Sequence, residues 1–238
     1  MKVDSTIPLH QGFAMSQRDI NAALGVLGIF ILGIFLNVYL LSILKVPMPE
    51  SVVWKSNVSA VIQTLTTIVI PYAWAISRLG LSPADLGLST RKLGQNLLYG
   101  CLLYSLALAV FIHCSADPMI ANHAVRNAAP AEAIGMVSGM SLIAAGTDLA
   151  TRGFILLTLA RYTHVGFAIA IQNLAWYLGH IHEINMLSGC LGFAGALGLT
   201  LTLGILGDVI ALRTRNVVGL AMAHILLNVV LTVYIRQL

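Results

Sequence analysis

Residues 20–44 read INAALGVLGIFILGIFLNVYLLSIL, a run with no Asp, Glu, Lys, Arg or His. About 20 such residues wound into a helix cross the hydrocarbon core of a bilayer. The run is continuous and lacks the period-two alternation of a barrel strand, so it predicts a helix. It starts only at Ile20 and has no small-x-small exit, so it reads as a first span and not as a cleaved leader.

Runs free of Asp, Glu, Lys and Arg, with one exception, recur along the chain at Ser56–Ser77, Leu93–Ala116, Ala133–Ala160, Tyr162–His182, Ile184–Gly207 and Asn216–Ile235. The expectation is an all-α, polytopic transmembrane helical bundle of about seven spans. The Ala133–Ala160 run is the exception in carrying Asp148 and Arg152 in its interior. Composition agrees with the bundle. Of 238 residues, 58% are hydrophobic and 9% charged, with a mean hydropathy of +0.88, against about 25% charged in soluble domains. So few charges cannot cover the surface of a soluble globule, which excludes a soluble enzyme, a disordered chain and a disulfide-stapled secreted domain.

The charges that remain suggest an orientation. With seven spans, the N-terminus shares a side with Lys2, Arg18, Arg78, Arg91, Lys92, Arg161, Arg213 and Arg215, whereas Lys45, Lys55, Arg126 and Arg236 lie opposite. The excess of basic residues places the N-terminus in the cytoplasm. Between spans, Ser82-Pro83-Ala84-Asp85 reads as a capped helix start. Glycines at 189, 192, 195 and 198 would give one smooth face for helix packing. Cys101, Cys114 and Cys190 form no spaced framework and say little about redox compartment.

Ionisable and polar groups inside a span are costly and mark function by default. Three polar pairs stand four residues apart: Asp148 with Arg152, Trp176 with His180, and His224 with Asn228. Each pair shares a helix face. Taken singly they also fit a structural ion pair, an aromatic belt with a packing histidine, and an interhelical hydrogen bond. If they converge, they enclose a polar cavity inside the bilayer. His10, His113, His123 and His164 fall near span ends or in loops and are given no role, and His182 and Glu183 read as interfacial.

On these residues the chain resembles the CAAX-protease and bacteriocin-processing family, also called CPBP or Abi. Its motifs are Glu-Glu-x-x-x-Arg, Phe-x-x-x-His and His-x-x-x-Asn/Asp. Here they correspond to Thr147-Asp148-x-x-x-Arg152, Trp176-x-x-x-His180 and His224-x-x-x-Asn228. Arg152-Gly153-Phe154 and Leu212-Arg213-Thr214-Arg215-Asn216 resemble the family's flanking segments. The resemblance divides the chain into two N-terminal spans, residues 1–79, and a CPBP-like core, residues 80–238.

The resemblance implies an intramembrane endopeptidase acting on prenylated proteins or peptides. The first Glu of the pair and the motif-two His would activate water, and the motif-three His and Asn would stabilise the oxyanion. The candidate catalytic set is therefore Asp148, His180, His224 and Asn228, with Asp148–Arg152 as a structural ion pair and Trp176 lining the cavity. This chain departs at the first position, where Thr147 replaces the Glu. Threonine is no carboxylate base, and Asp148 points about 100° away around the helix.

The favoured expectation is a catalytically impaired protein that keeps the cavity for binding, immunity or complex assembly. The alternative is an active CAAX-type endopeptidase using Asp148 and His180. A proton relay or transporter would call for inverted repeats, which seven spans here do not show. Membrane lipids are expected partners, together with a prenylated or leader peptide or other membrane subunits, the last through residues 122–126. No cofactor is expected. A metal site from His180, His224 and Asp148 lacks the usual one-helix spacing, and no basic stripe points to nucleic acid.

Overall fold

The computed structural model describes residues 15–44, 52–117, 120 and 125–237. Lys2, His10, Lys45, His123 and residues 122–124 of the expected partner segment lie outside them. All regular structure among the described residues is helical. In chain order it comprises α1 (Gln17–Leu44), α2 (Val52–Gln63), α3 (Ile70–Leu79), α4 (Leu93–His113), α5 (Pro130–Asp148), α6 (Leu157–Tyr162), α7 (Val165–Gly179), α8 (Ile181–Thr214) and α9 (Val218–Ile235). A π-helical turn, Thr64–Val69, joins α2 to α3, and a second, Leu149–Leu156, joins α5 to α6.

Six of these units are long and apolar enough to span a membrane, and α7, with 15 residues, is a shorter apolar helix. At 1.5 Å per residue, α7 extends roughly 22 Å. The run expected over Tyr162–His182 is shortened at both ends. Thr163 is extended, with φ −133°, and His164 caps the helix by accepting from the Gly166 amide. His180, at φ −116° and ψ 17°, leaves the helical region.

The spans differ in what surrounds them. In Pro130–Tyr162, 83% of the most apolar window is buried, against 11% in α1, so the former is the central helix and the latter faces lipid. Leu24, Phe35, Val38 and Tyr39 of α1 are exposed accordingly. Around the central helix, Phe154, Ile155, Leu156, Leu157, Leu159 and Ala160 are fully buried with Leu86, Val217 and Leu220. The second π turn coincides with Tyr72, whose hydroxyl reaches the carbonyls of Leu149 (2.9 Å) and Leu86 (3.2 Å). A carbonyl shifted out of the α register thus regains a partner in a medium that supplies none.

The expected glycine packing face in α8 is not what these residues form. Gly192 breaks the helix, with φ +69° and ψ 159°, a conformation L side chains rarely adopt. A side chain at Gly198 would meet nothing within 4 Å. Beyond the break, α8 runs antiparallel to α7, because Trp176 meets Thr200 and Asn173 meets Asp208. Close helix approach occurs instead between α4 and α9, where a Cβ on Gly100 would come within 2.8 Å of the Ala223 Cβ. Asn96 secures that crossing by donating to Thr214 and the Asn216 carbonyl and accepting from the Leu220 amide.

Two opposite ends follow from α4. At its start, Lys92 donates to the Arg213 carbonyl, Asn216 donates to the carbonyls of Ser89 and Arg91, and Arg161 pairs with Asp85. The expected cap at Ser82 is present as a reciprocal Ser82–Asp85 box. Just past the other end, Cys114 forms a disulfide with Cys190. This pairing was not legible from cysteine spacing, because 76 residues separate the partners.

Candidate functional site

The three polar pairs converge around α5, α7 and α9, but they divide between two environments. The first is a closed polar layer. Asp148 and Arg152, both fully buried, pair along the central helix. Asp148 also accepts from the Tyr104 hydroxyl at 3.0 Å and from His224 Nδ1 at 3.0 Å. A carboxylate only accepts, so the His224 proton on this contact sits on Nδ1. Arg152 lies over the Trp176 ring at 3.9 Å and reaches Asp208 Oδ1 with Nε at 3.5 Å. Asp208 in turn accepts from the Asn173 amide at 2.8 Å. One guanidinium is thus held by two buried aspartates, which offsets the cost of desolvating all three charges.

Sequence reading missed Asp208, because Ile184–Gly207 placed it beyond a span end. The α8 helix instead continues to Thr214 and carries Asp208 inward. Gly207 gives Arg152 its room, since a Cβ there would fall within 2.6 Å of the guanidinium. Tyr104 was also missed, because an isolated tyrosine in an apolar run carries no pattern.

The second environment is a cavity of about 410 Å³ between α4, α5, α7, α8 and α9. Thr147, Trp176, His180, His224 and Asn228 line it, together with Tyr104, His182 and Glu183, and the rest of the wall is mostly Ala, Val, Ile, Leu, Met and Phe. Asp148 is absent from the lining, as its turn around the helix predicts. His180 stacks on Trp176 at 3.9 Å and lies 6.1 Å from the His224 ring. Its Nδ1 faces the Trp176 carbonyl at 2.8 Å, so in the neutral ring the lone pair is on Nε2.

A Cβ on Gly179, the residue before His180, would lie 3.6 Å from the Thr147 methyl group. The Thr147 hydroxyl donates to the Ile143 carbonyl at 2.9 Å. Asn228 donates its amide to the Met140 carbonyl at 3.3 Å. Chemically, the cavity offers the imidazoles of His180, His182 and His224, the Thr147 hydroxyl, the Asn228 amide and the Glu183 carboxylate in a mostly apolar wall, while Asp148 is committed elsewhere.

Comparison with known proteins bears on the same region. Residues 128–230 match the family model of the type II CAAX prenyl endopeptidase Rce1-like proteins. No curated protein and no solved structure matches the chain. The matched segment contains all three polar pairs, from Thr147 to Asn228. The chain is a multi-pass integral membrane protein, and its residues 128–230 are similar to the CAAX protease family.

Proposed function

We propose that this CAAX-protease-like membrane protein uses its intramembrane cavity to bind an apolar peptide or lipidic chain without activating water for hydrolysis. One observation carries the reading. The acceptor oxygens of Asp148 are engaged by Arg152, Tyr104 and His224 and Asp148 itself does not line the cavity, while the neighbouring residue that does is Thr147. A general base must be within reach of the water it deprotonates, and Asp148 is not so placed. Loss of such a base costs about 10²–10⁴ in rate. Binding is retained because the wall remains apolar and concave. Immunity and complex assembly are both uses of such a bound state.

The test is native mass spectrometry of the protein in nanodiscs, with and without farnesylated peptide. Retention of intact peptide is expected. Its cleavage by the wild-type chain would overturn the reading.

We also infer that the end carrying Arg91, Lys92, Arg161, Arg213 and Arg215 faces the cytoplasm. Basic residues favour that side, and the Cys114–Cys190 bond lies at the opposite end of α4, where an oxidising compartment would preserve it. This keeps the N-terminus cytoplasmic. A cysteine introduced at Ser89 should resist a membrane-impermeant maleimide in intact cells, and ready labelling there would invert the topology.

A further inference from the structure

Glu183 takes no part in the polar layer and was expected to be merely interfacial. It stands in the first turn of α8, three residues after His180, and lines the cavity. Its Oε2 is enclosed and has no hydrogen-bond partner in the protein. A glutamate at this helix position commonly folds back onto the cap amide, and Oε2 does not. Among the described residues that line the cavity, Glu183 is the one carboxylate, and there is no Lys or Arg.

A carboxylate on an apolar wall with no donor from the protein is destabilised unless one meets it, and a cation meets it best. A second anion there would be repelled. Resting on the cavity-binding reading, we propose that Glu183 selects the occupant: an apolar chain bearing a primary ammonium group, whose N–H bonds to the Glu183 carboxylate while the chain lies against Met136, Met140, Leu187 and Leu231.

Equilibrium binding to the protein in phosphatidylcholine nanodiscs, corrected for empty nanodiscs, tests this with dodecylamine, dodecanol and dodecanoate. A leucine-rich hexapeptide with a free or an acetylated amino terminus separates a peptide source of the ammonium group from a lipid-like one. The wild type should prefer at least one ammonium probe over its neutral counterpart by about tenfold, the worth of one charge-assisted hydrogen bond, and should bind dodecanoate most weakly. Glu183→Gln should equalise ammonium and neutral probes, and Glu183→Asp should keep the preference.

Equal wild-type affinities, or a preference that survives in Glu183→Gln, would overturn the assignment and leave cavity binding intact. Failure of every probe to bind would remove the cavity-binding reading, and this inference with it.

Discussion

Two regions meet along the central helix: a polar layer in which the buried charges are paired, and a cavity whose polar groups face an open apolar space. Thr147 and Asp148 are consecutive residues, yet one lines the cavity and the other lies wholly within the layer. The same aspartate could serve as a base only if it gave up Arg152, which would leave its own buried carboxylate without a cation. The contrast teaches that a charged residue in a membrane is not by itself a sign of chemistry. What its acceptors already hold decides its role.

The sharpest way to break this contrast is to remove Arg152. Arg152→Met leaves Asp148 and Asp208 buried without their cation and should cost about 3–5 kcal/mol of stability. A large drop in the detergent-solubilised unfolding midpoint would register it, and an unchanged midpoint would show that the layer is not held by the pairing.

Loss of the disulfide through Cys114→Ser should cost about 2–4 kcal/mol. It should also loosen the cavity wall at Phe111, Met186 and Leu187, which cluster with Cys114. Reduction of the wild type should reproduce the fall in midpoint. Thr147→Val sharpens the comparison from the other side. It keeps the shape, removes a hydroxyl bonded only within its own helix and to the half-buried Gln63, and should change stability by under about 1 kcal/mol. A loss as large as that of Arg152→Met would mean that cavity and layer are one energetic unit.

The smallest effect lies outside both regions, at Asp85. Partial burial would raise its carboxyl, but the Ser82 amide and hydroxyl and the Arg161 guanidinium outweigh this and hold it below the ordinary 3.8. A lowered folded pKa contributes stability above the ordinary value, and that contribution is lost as the pH falls through the folded value. The unfolding midpoint of the wild type should therefore converge with that of Asp85→Asn below about pH 4 and exceed it at pH 7 by less than about 1 kcal/mol. A gap that persists at low pH would contradict the Ser82 and Arg161 pairing.

Much of this was legible in the sequence, for physical reasons. Charge-free runs locate spans because lipid leaves no alternative to backbone hydrogen bonding within a helix. Polar pairs four residues apart found Asp148–Arg152 and Trp176–His180, because such pairs share a face. What pattern could not supply was partnership across the bundle. Asp208 looked like an end residue, and its role depends on Arg152, 56 positions earlier in the chain. Tyr104 and the Cys114–Cys190 bond are likewise tertiary. Gly192 sat in a regular glycine series that suggested packing, whereas its backbone conformation breaks the helix. Glu183 looked interfacial because only the fold shows which wall its carboxylate faces.

On the proposed reading, position 147, not 148, decides whether this cavity hydrolyses a peptide. A cleavage assay with farnesylated and leader peptides, run side by side on wild type, Asp148→Ala and Thr147→Glu, addresses it directly. Expected are no turnover by the wild type and none by Asp148→Ala, with cleavage emerging in Thr147→Glu, which sets a carboxylate on the cavity that His180 also lines. Wild-type turnover that Asp148→Ala abolishes would contradict it.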